Sequence, residues 1–541
     1  MQEILLGLEP MTLQLPEKPF FLPPRNGENS GVDFLGLRQT NLDMMAEMIP
    51  SLNNVTNYIR PFALLSWLFW KFPQLCRDAG MDAPSRKDID QFREKIEVLF
   101  SWGASLHETS GRIPGTGATP PPSLPDGTVE LTFAAWKRIT SSTSLIAALW
   151  YGPASKAVTG LGFLAPIPGR TGFFRVTASG QRLAEAFDEI VREDADRYAT
   201  ILATLDETKA TKQDAIALWQ IWAPETVSSA ESEVFSTSLY SEDDVGNDSR
   251  LIGKRSTTLA LVMHHLNCSS SALSTSDIRQ GMALSSLPNG DLYLPPEHLI
   301  KARDSWLTLQ MRQLQRLSME CLLSWCEGQI LDAHGNDTDR MASRFAESWH
   351  SSDHELGEQN SVSAVLASLE EKISNDGGFL EAVRASSVPN PFDLMSKIQE
   401  KLRLVDHDMA VSAFMGLLLC AAFANTPNQN ERMLSLGGAP RLSLHSLRRR
   451  LLSLRDTPIE GAFKYIIEAL VISQHFSTAV NRFDGQSQRL RLTIEENGLS
   501  ALVSRPWRPT VTEDRLATLL SLSAQAGILV QTPEGQFGHN I

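Results

Sequence analysis

The chain has 541 residues, of which 42% are hydrophobic and 21% charged. This composition is that of a globular protein and excludes a wholly disordered, collagen-like or coiled-coil chain. The 49 Lys and Arg residues against 63 Asp and Glu residues give a net charge of −14, so the whole molecule is no general binder of polyanions. Five dispersed cysteines form no disulfide framework, which favours a reducing compartment.

The N-terminus and the apolar stretches indicate a soluble cytoplasmic protein. The first 24 residues include Glu3 and Glu9 and have no basic region before an apolar run, so we expect no secretory signal. The two most apolar stretches, 62–72 and 414–424, are each 11 residues long, whereas a membrane span needs about 20. We expect both to be buried core helices.

Two helices are predicted first along the chain. Thr40 or Asn41 can cap the first helix, and Arg60-Pro61 opens the second, because proline at the first helical turn leaves no backbone donor unpaired. A Gly- and Pro-rich stretch at 111–127 then predicts a long surface loop.

The most specific local pattern follows this loop. A helix ending near Tyr151 precedes a second helix over 153–161, strands at 163–167 and 173–176 pair across a turn, and Thr177 caps a closing helix. This order of helix, helix, hairpin and helix resembles a winged-helix domain. A weaker form of the same pattern closes the protein, with a helix at 512–526 and a hairpin around the turn at 533–535.

Two polar stretches predict connections between domains. The stretch 225–247 has six acids and no Lys or Arg, so self-repulsion favours a solvated linker. The stretch 334–360 predicts a polar loop in which 341–349 could hold a short helix. The predicted segments are an N-terminal helical domain (1–130), a winged-helix-like domain (131–224), an acidic linker (225–250), a helical segment (251–333), the polar loop (334–360), and a helical domain with a basic region and a winged-helix-like end (361–541).

The predicted fold is therefore mainly α with small β hairpins. It is multi-domain, with winged-helix-like modules embedded in helical bundles. A winged helix either reads DNA with its second helix or serves as a docking module. The first such segment is nearly neutral, which favours docking, while Lys156, Arg170 at the wing tip, and Arg175 keep DNA contact as an alternative.

Residues 441–510 differ from the rest in charge, with 11 basic and six acidic residues. Apolar residues at helical spacing predict an amphipathic helix whose arginines occupy another face. Arginine suits bidentate contact with phosphates and with carboxylates alike, so DNA or partner binding competes with a solvated or ion-paired face. The candidate binding residues here are Arg441, Arg448, Arg449, Arg450 and Arg455.

No catalytic motif is complete. The nearest approach to a phosphate loop runs from Gly246 to Gly253-Lys254, but it has six residues between the glycines where four are needed, and Arg255 follows the lysine. We therefore expect no ATP hydrolysis by the chain alone.

Metal and cofactor sites are not expected either. Two groups have part of the spacing of a ligand set but no identifiable remainder, and Cys321 and Cys326 are expected as core thiols. The two groups are His264, His265 and Cys268, and His350, His354 and Glu355.

The stretch from Asp33 to Phe72, the Gly- and Pro-rich loop after it and the later LIAALWYGPASKAVTGLGFL resemble an uncharacterised prokaryotic family of accessory proteins from anti-phage defence islands, although TNYIRPFALLSW departs from the motif of that family. The resemblance implies a defence role in a multi-gene system such as Druantia or DISARM and supplies no catalytic residue. We expect a non-enzymatic subunit that binds partner proteins, such as a helicase or a nuclease, DNA, or both. The alternatives are a stand-alone DNA-binding regulator and a divergent hydrolase or nuclease.

Overall fold

The computed structural model describes residues 33–107, 113–332, 335–352, 355–402, 406–483 and 489–539. Over these residues the protein is mainly helical, and its strands form small two-stranded antiparallel sheets, which confirms the predicted fold class at this level. None of the described helices combines the length and the hydropathy that a membrane span requires. The division into domains stays a prediction.

The helices up to the longest one are α1 (Arg38–Met48), α2 (Arg60–Asp78), α3 (Arg86–Leu106), α4 (Thr140–Thr143), α5 (Tyr151–Ser155), α6 (Ala178–Val191), α7 (Ala195–Arg197), α8 (Lys212–Trp222), α9 (Ser229–Leu239), α10 (Leu251–Cys268), α11 (Thr275–Leu284) and α12 (Glu297–Leu331). Those after it are α13 (Thr338–Ser351), α14 (Val362–Asn375), α15 (Phe379–Arg384), α16 (Pro391–Lys401), α17 (His407–Phe423), α18 (Glu431–Ser435), α19 (Leu444–Leu452), α20 (Ile459–Tyr465), α21 (Ser473–Asn481) and α22 (Leu516–Gln525). Single π-helical turns occupy Tyr198–Leu202 and Ile466–Ile472.

The strands pair as four two-stranded antiparallel sheets. They are β1 (Val129–Glu130) with β4 (Lys209–Ala210), β2 (Leu164–Pro166) with β3 (Phe174–Val176), β5 (Leu492–Glu495) with β6 (Gly498–Ala501), and β7 (Leu529–Gln531) with β8 (Phe537–His539). The predicted loop at 111–127 has no helix or strand over its described part, 113–127.

Helix α12 connects two hydrophobic cores. It has 35 residues, which at 1.5 Å per residue is about 50 Å. Trp306 near its start packs in a first core with α2, α3, α6, α8, α9 and α10, while Met311 and the turns after it pack in a second core with α13, α14, α16, α17, α19 and α20. The apolar helix α17 lies along α12, as the predicted burial of 414–424 requires.

Each end of the described chain packs in the core that is formed mainly by the other half of the chain. Phe34 and Leu35 pack in the second core, whereas α22 and Phe537 pack in the first. Asp33 begins α1 by accepting hydrogen bonds from the backbone N–H groups of Leu37 and Arg38 at 2.9 and 3.0 Å.

The predicted cap of α1 is wrong, since Thr40 and Asn41 lie inside the helix. The side-chain amide of Asn41 donates instead to Gln313 of α12 at 2.8 Å. Helix α2 does begin at Arg60-Pro61 as predicted, and most of its 62–72 stretch is buried.

The acidic stretch at 225–250 is not a solvated linker, since it contains α9. Ser228 and Glu231 form a capping box at the start of this helix. The carboxylate of Glu231 also lies 3.1 Å from the guanidinium of Arg60, and both side chains are fully buried. The sequence shows the number of acids in this stretch, but it does not show that Glu231 has the buried Arg60 as its partner.

The predicted polar loop at 334–360 is also wrong over most of its length. Helix α13 is 14 residues long, longer than the short helix considered there, and Met341, Phe345 and Trp349 are buried on one of its faces. This face packs against α17 and α20 in the second core, which explains why a stretch with so many polar residues is helical.

We expect the substitution Glu231→Gln to lower the free energy of unfolding by about 3–5 kcal/mol, because it leaves the buried Arg60 without a counterion. Urea denaturation followed by circular dichroism measures the change. Glu233→Gln, an exposed position on the same helix, is the matched control and should change the stability little. Equal effects of the two substitutions would contradict a stabilising role for the buried pair.

Candidate partner-binding surface

The first winged-helix-like segment has the predicted hairpin and closing helix. Leu164 pairs with Val176, and the Thr177 hydroxyl caps α6 by accepting a hydrogen bond from the N–H of Gly180 at 3.1 Å. The predicted second helix over 153–161 is wrong, because α5 ends at Ser155. The chain turns back at Gly160, where a Cβ would lie 2.4 Å from the carbonyl oxygen of Ala154. This segment therefore presents no second helix to a DNA groove.

One of the predicted binding residues of this segment is used for packing, and the other two are exposed. Arg170 donates to the carbonyl oxygen of Pro84 at 2.7 Å and lies over the ring of Phe173 at 4.0 Å, so it holds the hairpin against the start of α3. Lys156 and Arg175 are exposed.

The C-terminal hairpin belongs to a discontinuous arrangement that the sequence reasoning missed. Leu273, between α10 and α11, exchanges two backbone hydrogen bonds with Phe537 of β8, at 2.9 and 2.8 Å. The order α10, Leu273, α11, α22, β7, β8 is the helix and strand order of a winged helix, with residues 285–515 inserted before α22. The winged-helix interpretation itself stays a prediction.

Helix α22 takes the position of the third helix in this arrangement, directly after α11, but its faces are covered. Its leucines pack in the first core, and on the other side Ser521 and Gln525 donate to the carbonyl oxygen of Asn57 at 3.0 and 2.6 Å. Only Ala517 of this helix is exposed. The helix therefore serves packing within the molecule.

The arginine stripe predicted around 441–455 is not continuous. Ser443 caps α19, so Arg441 lies before the helix, and Arg455 lies beyond its end with a left-handed φ of 42°. Leu444 and Leu447 are buried on the apolar face, as predicted.

Acids from elsewhere in the chain pair with much of the basic region. Among the described residues, five of its cations form ion pairs with carboxylates that all lie outside residues 441–510, so the local positive excess is offset within the molecule. The pairs are Arg441 with Asp43, Arg448 with Glu370, Lys464 with Asp339, Arg482 with Asp33, and Arg491 with Glu327.

Three of the predicted arginines remain exposed and form no ion pair with a described carboxylate. Arg449, Arg450 and Arg455 lie around Leu452, whose residue surface is 43% exposed. Arg450 donates to the Tyr465 hydroxyl at 3.3 Å. We call these four residues, Arg449, Arg450, Leu452 and Arg455, the α19 end surface.

The structure describes the first candidate metal group fully and the second only in part. Within the described ranges, no three His, Cys, Asp or Glu residues are arranged to hold a metal ion. The His264 ring lies 4.0 Å from the Cys268 sulfur and 3.3 Å from the Leu294 carbonyl oxygen, and His354 lies outside the described residues. Cys321 and Cys326 are buried in the second core, as expected of core thiols, and burial raises the pKa of both.

A buried histidine joins the first described residues to the basic region. His475 accepts a hydrogen bond at Nε2 from the N–H of Arg491 at 3.0 Å, and its Nδ1 lies 3.2 Å from the Phe34 carbonyl oxygen. The ring is therefore the neutral Nδ1–H tautomer. Burial is the main reason why the pKa of His475 is lowered to about 4.

No protein-family model, curated protein or solved structure matches this chain.

We expect stability to fall as the pH is lowered from about 6.5 to about 4, with His475 contributing about 3 kcal/mol. The unfolded histidine takes up a proton near its ordinary pKa, whereas the native ring accepts one only near the lower value, so the native state binds fewer protons in this window. Urea denaturation at a series of pH values should give a shallower slope for His475→Gln. His445→Gln, at a partly exposed position, is the control; equal slopes for both variants would contradict the assignment.

Proposed function

We propose that the protein is a non-enzymatic binding subunit that contacts an acidic partner protein through the α19 end surface. The observation that carries the proposal is that Arg449, Arg450 and Arg455 form no ion pair with a described carboxylate, whereas five other cations of residues 441–510 do. Planar guanidinium groups bind carboxylates in a bidentate manner, and an exposed leucine among them supplies an apolar anchor.

An acidic protein fits these observations better than duplex DNA does. Sequence reading of DNA commonly places a helix in the major groove, and neither winged-helix-like segment presents such a helix. Three arginines around a leucine match the composition of protein interfaces, where arginine and apolar anchors are enriched.

The resemblance of residues 33–72 to accessory proteins of defence islands supports a role in a prokaryotic anti-phage system. In that setting the partner is a helicase or nuclease encoded by a neighbouring gene, and the complex acts in the cytoplasm. The second candidate is a DNA-binding regulator, which rests on the exposed Lys156 and Arg175 of the first hairpin segment.

The test is co-purification and affinity measurement with each neighbouring gene product in turn. The triple change of Arg449, Arg450 and Arg455 to Glu should weaken the complex by at least about 100-fold, because it places three like charges against an acidic surface. The matched control changes Lys156, Arg175 and Arg182 to Glu, which alters the net charge equally at exposed positions of the other segment.

The control variant should bind as the unchanged protein does. If the control loses the partner and the triple variant keeps it, the binding surface lies on the first hairpin segment and the proposal is wrong. Thermal unfolding of both variants shows whether they are folded.

A further inference from the structure

A cleft of about 440 Å³ lies between α1, α10, the start of α12 and the segment 429–436. Its volume falls within the range of roughly 300–1,000 Å³ that is typical of small-molecule sites. The proposed partner surface on α19 is not part of it, since none of the four residues of that surface lines the cleft.

The incomplete phosphate-loop pattern forms part of this cleft. Gly246, Asp248 and Lys254 line it, although the spacing of the pattern fits no known phosphate loop. Gly253 lets this loop approach α10, because a Cβ there would lie 2.1 Å from the carbonyl oxygen of Asn247. The loop and the lysine are thus held beside the cleft by close packing.

Carboxylates hold three cations in place around the cleft. Glu47 contacts Lys254 at 2.7 Å with one oxygen and Arg432 at 3.0 Å with the other, and Asp248 contacts Lys301 at 2.5 Å. The side chains of Arg432 and Lys301 are 73% and 50% exposed, so both keep N–H donors available to a ligand.

We propose that this cleft binds the phosphate group of a small molecule through Lys254, Lys301 and Arg432. Ammonium and guanidinium groups are the side chains that bind phosphate oxygens most strongly, and their ion pairs position them before the ligand arrives. The proposal is for binding alone and includes no bond cleavage.

The acids of the cleft determine how phosphate affinity should change on substitution. Glu47, Asp248 and the exposed Glu431 balance the charges of the three cations, and His298 also lies on the wall. Removing the charge of Glu47 frees two cations at once, so a phosphate site here must gain affinity from Glu47→Gln.

Isothermal titration of the full chain with inorganic pyrophosphate and, separately, with ATP tests this. Glu47→Gln should bind pyrophosphate about fivefold more tightly or better, and Arg432→Gln with Lys301→Gln about tenfold more weakly than the unchanged protein. Lys87→Gln with Lys212→Gln, at exposed positions that do not line the cleft, is the control and should leave binding unchanged. Tighter binding of ATP than of pyrophosphate identifies a nucleotide as the source of the phosphate, and equal binding identifies a simpler phosphate compound.

The proposal is overturned if neither the unchanged protein nor Glu47→Gln binds either probe at a probe concentration of about 10 mM. A Kd of that size corresponds to a binding free energy of about −3 kcal/mol. It is also overturned if the cleft variants and the control lose affinity equally. If Glu47→Gln unfolds, Asp248→Asn replaces it, since that change frees Lys301 in the same way.

Discussion

The structure depends on one constraint. Helix α12 is buried on almost all sides, yet it carries charged and amide side chains that need hydrogen-bond partners. Arg312 of α12 is fully buried and donates to the backbone carbonyl of Arg441 at 2.6 Å, and Gln315 donates to that of Leu442 at 2.7 Å. Leaving such groups unpaired in a protein interior costs several kcal/mol each. The segment before α19 is therefore held on α12.

The same constraint brings the last part of the chain onto α12. Gln313 exchanges hydrogen bonds with the backbone of Thr512, at 2.6 and 3.1 Å, and Glu327 accepts from the N–H of Trp507 at 2.6 Å and from Arg491. Because the chain passes over α12 here, α22 and the last hairpin continue into the first core. The crossing of the chain ends follows from how α12 satisfies its polar groups.

The basic region is shaped by this packing as well. Five of its described cations pair with acids of other segments, which fixes α19, the end of α21 and the start of the β5–β6 hairpin in place and leaves few arginines for a ligand. The net charge of a segment therefore says little about its surface. What remains available is the α19 end surface, on which the proposed function rests.

Local features could be predicted from the sequence, and contacts between distant residues could not. The burial of 62–72, the pairing of the β2–β3 hairpin and the cap at Thr177 depend on neighbouring residues, and they are confirmed. The buried pair of Arg60 and Glu231 joins residues far apart in the chain. The number of acids in the stretch 225–250 therefore predicted a linker where the structure has the helix α9.

The candidate binding residues show the same difference between local features and contacts between distant residues. The sequence indicated which arginines to examine, but only the fold shows which of them have carboxylate partners. The two halves of the discontinuous arrangement around Leu273 and Phe537 are separated by residues 285–515, so no local pattern could join them.

The salt dependence of duplex DNA binding by the unchanged protein tests the central claim, that the basic region is used for packing and for a protein partner. Each phosphate contact contributes about −0.9 to the slope of log affinity against log salt concentration. We expect no measurable binding of the unchanged protein to duplex DNA at low salt, and hence no such slope. Tight binding with a slope of about −4.5, as phosphate contacts by all five paired cations would give, would contradict the use of those cations for packing.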